Sequence, residues 1–123
     1  MRSTCVVVTP EYNHGPSGAL KNAIDSLYHE WNNKAAGCVS YGGGGGAHVV
    51  VQLRLVIGEL MVADIRAQVL LSLVTDVEHF STCTPAPRKE RDVHTMLDQV
   101  IAWSRALTTV RSQPHAEAVG ARS

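Results

Sequence analysis

The stretch Thr9-Pro10-Glu11-Tyr12-Asn13-His14-Gly15-Pro16-Ser17-Gly18-Ala19-Leu20-Lys21-Asn22-Ala23-Ile24-Asp25 decides the fold. It follows the apolar run Cys5-Val6-Val7-Val8, whose consecutive β-branched residues predict a fully buried strand. Pro10 breaks that run and a polar, aromatic loop follows. Ser17 then stands where an N-cap hydroxyl can satisfy a free amide of a first helical turn. Strand, loop and helix make half of a βαβ unit. Open α/β sheets bind ligands at the carboxyl ends of their strands, so Glu11, Tyr12 and Asn13 sit on ligand-facing ground.

Downstream, Leu20, Ala23, Ile24, Leu27, Tyr28 and Trp31 form one stripe and predict a helix over residues 18–31. Residues 35–41 read as a small apolar strand that ends in five consecutive glycines, 42–46. Such a run admits φ > 0 and lets a ligand approach the backbone. It is costly to order, and it joins a strand to a helix rather than two domains, which argues against a flexible linker. A second helix is predicted over residues 47–61. Its stripe of Val49, Leu53, Val56, Ile57 and Leu60 is widened by Val50, Val51, Leu55 and Met61, as for a helix covered by the sheet and by a second subunit. Residues 65–73 alternate like a strand with one drier face. Residues 74–91, with Pro85, Pro87 and Arg88-Lys89-Glu90-Arg91, read as a long exposed loop. A last helix is predicted over 92–110 with Asp92 as N-cap and Trp103 off its stripe, and 111–123 as a disordered tail. The order β-α-β-α-β-α over residues 1–110 implies one domain with a parallel sheet and right-handed crossovers.

The composition narrows the function. The 123 residues carry 11 basic and 11 acidic side chains, with no basic stripe for nucleic acid. No apolar run can span a bilayer, and the N-terminal run is too short for a signal-peptide core, so a cytoplasmic protein is expected. Three cysteines without a CxxC spacing argue against a disulfide framework or zinc site, and Cys5 and Cys38 are expected to be buried as small apolar residues. The six histidines are scattered and predict no metal site.

Two loops, residues 10–17 and 41–46, end neighbouring strands on one edge of the sheet. One offers an aromatic ring and an amide side chain, the other bare backbone N–H groups. That pairing suits a flat heteroaromatic ligand such as a flavin ring. Gly42-x-Gly44-x-x-Ala47 matches a dinucleotide-binding pattern, but in a glycine run the match is nearly automatic. His48 is placed either against a phosphate or at the surface, and no spacing gives Glu11 an acid–base partner.

The Pro10-Glu11-Tyr12-Asn13 turn and the Leu20-Lys21-Asn22-Ala23-Ile24-Asp25 helix start resemble the NAD(P)H-dependent FMN reductase family. With Gln52-Leu53-Arg54 included, the likeness covers about residues 6–107. It implies a three-layer, flavodoxin-like α/β sandwich with a parallel sheet. It also implies FMN and NAD(P)H as cofactors, and hydride transfer through the flavin to a flavin, quinone or similar small-molecule acceptor. Pro10, Glu11, Tyr12 and Asn13 would line one side of the ring. Tyr41, Gly42, Gly43 and Gly44 would give backbone contacts to its pyrimidine end. The cofactor carries the chemistry, so no catalytic side chain is assigned. The family begins with further strands and helices and a Gly-Ser-x-Arg-like phosphate loop. No such motif precedes Cys5, so the domain reads as N-terminally truncated, with weakened FMN affinity. Its first strand would then be an open edge inviting pairing with another chain, as in a truncated product, a fragment completed by a partner chain, or a homodimer or homo-oligomer that pairs edges. His48 stands where the family often has an arginine. The alternative reading is a non-catalytic flavodoxin-like remnant or interaction module.

Overall fold

In the computed structural model, which describes residues 4–79 and 81–113, three strands run parallel in the order β1 (Thr4–Pro10), β2 (Ala35–Gly42), β3 (Ala63–Ser72). The crossovers carry α1 (Gly18–Asp25) and α2 (Ala47–Glu59), and both pack on one face of the sheet. There Ile24, Val49, Leu53 and Ile57 meet Cys5, Val7 and Ala36. The other face holds α3 (Pro87–Ala106), whose Met96 and Val100 meet Ala35, Ile65 and Val69. Helix, sheet, helix is the expected three-layer sandwich. Gly37 lets α3 come close, since a Cβ there would lie 2.9 Å from the Met96 side chain.

Register fixes which side chains of β1 share each face. Val6 pairs with Gly37 and Val8 with Val39, so both valines lie on the α3 face. That helix sits over β2 and β3, which leaves Val6 38% and Val8 62% exposed. The fully buried strand expected from sequence is therefore a half-covered edge.

The two borders of the sheet are finished differently. β3 bulges opposite Gly37, between the pairs Ala36–Asp64 and Cys38–Gln68. The Arg54 guanidinium fills this bulge. It pairs with Asp64 and donates to Ile65 O (2.9 Å), Arg66 O (3.2 Å) and Gln68 Oε1 (3.0 Å). Farther along, Gln99 accepts from Ala67 N and Lys89 donates to Leu70 O. On β1 the side-chain bonds are of another kind: the Thr9 hydroxyl donates to Pro10 O (2.8 Å) within the strand, and the Thr4 hydroxyl donates to the Ser104 hydroxyl (2.9 Å).

Several elements depart from the sequence reading. The first helix stops at Asp25 and a 3-10 turn, His29–Trp31, follows. The Trp31 indole folds back and donates to Ile24 O at 3.0 Å, which keeps its ring on the core without helical continuity. α2 ends in a Schellman motif: Val62 N donates to Ile57 O and Met61 N to Gly58 O, with Met61 left-handed at φ 57. Residues 74–91 are not one exposed loop. Asp76 is buried and accepts from Ser72 N (2.9 Å) and Ala86 N (3.0 Å), and this pins the start of α3 at Pro87, five residues before Asp92. A short antiparallel pair, β4 (Val77–Glu78) and β5 (Thr82–Cys83), fills the interval. The chain continues into α4 (Thr108–Ser112), where Arg111 donates to Asn33 O and Ser104 O. The expected tail thus begins inside a helix, and its remainder, 114–123, lies outside the described residues.

Candidate functional site

The tips of β1 and β2 lie side by side. Pro10 is in register with Tyr41, and Glu11 N donates to Tyr41 O at 3.0 Å. Beyond Glu11 the chain reverses in a two-residue turn closed by Tyr12 N to Gly15 O and Gly15 N to Tyr12 O, both 2.9 Å. Asn13 (φ 50) and His14 (φ 66) both take the left-handed conformation that such a tight hairpin demands. The turn leaves Tyr12 59% exposed, with Asn13 beside it at the surface.

The glycine run splits into two roles. Gly42, Gly45 and Gly46 are buried, while Gly43 and Gly44 are exposed. Gly45 N closes a turn on Gly42 O (3.1 Å), and Leu73 N donates to the same carbonyl (3.0 Å). Ser40, fully buried on the helix-facing side, donates to Gly45 O at 3.0 Å. Gly46 has φ 77, and a Cβ there would stand 2.6 Å from Ser40 Cβ, so no other residue fits. At Gly43 and Gly44 an added Cβ would meet nothing within 4 Å. The first group builds the loop and the second presents open backbone.

Glu11 does not face outward. Its Oε1 accepts from Val49 N at 2.7 Å in the first turn of α2, and Oε2 lies 3.6 Å from His48 Nδ1. The N-cap of α2 is Gly46, which has no side chain to offer, and the Glu11 carboxylate takes its place from the neighbouring loop. His14 stacks on His48 with ring centroids 3.9 Å apart and planes 9° from parallel. Glu11, His14 and His48 thereby tie the tyrosine–asparagine turn to the start of α2.

Of the eight residues singled out from sequence, Tyr12, Asn13, Tyr41, Gly43 and Gly44 reach the surface around these tips. Pro10, Glu11 and Gly42 support them from below. Sequence reading missed Ser40 and the coupling of His14 to His48. The signal for Ser40 was its parity with the helix-facing residues of β2. A hollow of about 510 Å³ opens beside the turn between Asn13, His14, Ser17, Lys21, Gln52 and Val56. A hollow of about 540 Å³ lies instead at the β3 border, against Arg54 and Arg66, and touches none of the eight.

Burial pushes the thiols of Cys5 and Cys38 up, so both stay protonated and unreactive at neutral pH. Among the described residues no three His, Cys, Asp or Glu side chains converge to hold a metal. None of the described helices is long and apolar enough to cross a membrane.

Comparison with known proteins bears on the same two loops. An NAD(P)H-dependent FMN reductase of Schizosaccharomyces pombe is 56% identical over 55 residues, 45% of this chain and 28% of that protein. Another of that description, from Saccharomyces cerevisiae, is 60% identical over 52 residues, 42% of this chain and 27% of that protein. The chain therefore spans less than a third of the length of these relatives. FerB, a flavoenzyme NAD(P)H:(acceptor) oxidoreductase from Paracoccus denitrificans, superposes with a TM-score of 0.50 at 19% identity, over 85% of this chain and 60% of that one. That likeness speaks to the flavodoxin-like fold alone. Residues 3–76, which run from β1 through both loops and α2 to the buried Asp76, match the model of the NADPH-dependent FMN reductase family. This span exceeds half of the chain and contains every residue of the paired tips, and on it the chain belongs to the NADPH-dependent FMN reductase family.

Proposed function

We propose that this chain holds the ring of FMN across the tips of β1 and β2 and supports NAD(P)H-dependent reduction of that flavin in the cytoplasm. The observation that carries the reading is the register of Pro10 with Tyr41, which sets a tyrosine–asparagine turn beside two open glycine amides. The residues fit the group: Gly43 and Gly44 leave free the space that side chains would fill. When bound, FMN supplies the hydride-accepting chemistry. The chain's part is to bind and orient. Tyr12 offers an aromatic face, Asn13 an amide, and Gly43 and Gly44 backbone donors, while Glu11 and His48 hold the two loops in fixed relation. No side chain here has to move a proton. The electron acceptor is a small molecule such as free flavin or a quinone. The three free thiols suit a reducing compartment.

Quenching of flavin fluorescence tests the reading. FMN and riboflavin, which share the ring and differ in the phosphate, should both be quenched with micromolar affinity. Gly44→Val, placed in open space, should weaken both about tenfold while leaving the circular dichroism spectrum unchanged. Absence of quenching by either flavin at about 100 µM would remove the ring-binding claim.

A further inference from the structure

We propose that the stacked imidazoles of His14 and His48 are a proton-operated latch on the tyrosine–asparagine turn, closed while the pair carries no more than one proton and opened by the second. The latch itself stands on the geometry of the free chain; only its effect on a ligand rests on the ring-binding reading above. The two rings lie face to face, with centroids 3.9 Å apart and planes 9° from parallel. One belongs to the turn after β1 and the other to the first turn of α2. The turn has reason to need this hold. Asn13 (φ 50) and His14 (φ 66) are the central residues of a hairpin whose conformation favours glycine, above all at the second of them. Its closing hydrogen bonds run between Tyr12 and Gly15 and so do not attach it to α2. Attachment comes from the His14 ring and from the Glu11 carboxylate one residue before the turn.

Charge decides whether the stack holds. Two neutral rings, or a neutral ring and a cation, attract through their faces, whereas two imidazolium ions at this distance repel. A single proton is accommodated, since Glu11 Oε2 lies 3.6 Å from His48 Nδ1. A second has no carboxylate left to meet. The other oxygen of Glu11 is taken by Val49 N, and the positive end of α2 adds to the repulsion. From α1, Lys21 lines the hollow beside His14; it is a cation, engaged with Asp25 at 2.7 Å. The other side chains of that hollow, among them Asn13, Ser17, Gln52 and Val56, are uncharged, and the glycine loop brings none. The His48 side chain is 60% exposed, so protons reach it from solvent without prior opening. Imidazoles take up protons between about pH 5 and 8, above the range in which carboxylates are neutralised. The latch therefore opens in mild acid, with the rest of the fold intact.

Proton NMR of the flavin-free chain, titrated from about pH 8 to about pH 5, tests the latch, with the two rings assigned through His14→Gly and His48→Gln. Stacked rings shield each other's protons. Both signals should stand upfield near neutrality and move together to unshielded positions at the acid end, with the circular dichroism spectrum unchanged. His14→Gly should abolish the shielding of His48 at every pH while keeping the turn, since glycine suits its φ. Riboflavin, which has no phosphate to titrate in this range, reads the consequence for binding. Its dissociation constant from fluorescence quenching should rise at least about fivefold across the range in the wild type and less than about twofold in His48→Gln. Rings that remain shielded at about pH 5, or that show no mutual shielding near neutrality, overturn the proposal. So does riboflavin binding that depends on pH as strongly in His48→Gln as in the wild type. Rings that unstack in acid in a chain that quenches no flavin support the latch and remove the ring-binding reading instead.

Discussion

Glu11 shows how a residue can sit in a ligand loop and still serve the fold. Its carboxylate satisfies Val49 N at the positive end of α2, a task that Gly46 cannot perform. Glu11→Ala should cost about 1–2 kcal/mol in urea denaturation, the usual range for a lost cap. Glu11→Gln, which keeps an acceptor but not the charge, should lose less than half of that. The sequence placed Glu11 in the loop at the tip of β1 but not its orientation toward α2. The missing clue was local: a helix that begins after five glycines has no capping side chain of its own, so its free amides must be met from elsewhere in the chain. The His14–His48 stack was not legible at all, because nothing in a linear spacing of 34 positions brings two rings within 3.9 Å.

At the scale of elements, order and type were readable and ends were not. Parallel β1, β2 and β3 with α1 and α2 between them match the periodicities of the sequence. The stripe of the first helix ran on to Trp31 because a residue that folds back onto the core buries the same ring as one that continues the helix. The start of α3 was missed because Asp76 fixes it through the Ala86 amide, ten residues away. α2 has an end that can be improved. Met61 holds a left-handed φ of 57 at the C′ position, where a β-carbon is penalised and glycine is the usual occupant. Met61 is 56% exposed and little packing is lost with its side chain. Met61→Gly should therefore raise stability by up to about 1 kcal/mol, read as a higher urea midpoint with an unchanged slope; a lower midpoint would mean that the side chain packs more than its exposure indicates.

For the whole molecule, acid is the condition that should undo the fold. Asp76 is 1% exposed, and its carboxyl is held below the usual carboxylate range, first by the Ala86 amide and then by the Ser72 amide, against the opposing effect of burial. Lys89, at 3.9 Å, and the Thr75 hydroxyl pull in the same direction as the amides. The native state thus binds its proton at lower pH than the unfolded chain does. The stability so contributed is complete above the unfolded value near about pH 4 and drains away as pH falls through the folded one. Denaturation midpoints should fall steeply on acidification below about pH 4. Asp76→Asn should flatten that acid limb and cost about 2–3 kcal/mol at neutral pH, since one amide donor would then point at another. An acid limb as steep in Asp76→Asn as in the wild type would assign the loss to other carboxylates.

The bulge that Arg54 fills bears on what a concentrated solution of this chain becomes. A sheet able to add neighbours at both margins polymerises into an endless ribbon, whereas one able to add at a single margin reaches its final size at the first encounter. Guanidinium, amide and ammonium groups occupy the β3 margin, so that margin offers a neighbouring chain few free main-chain groups and is closed to ribbon growth.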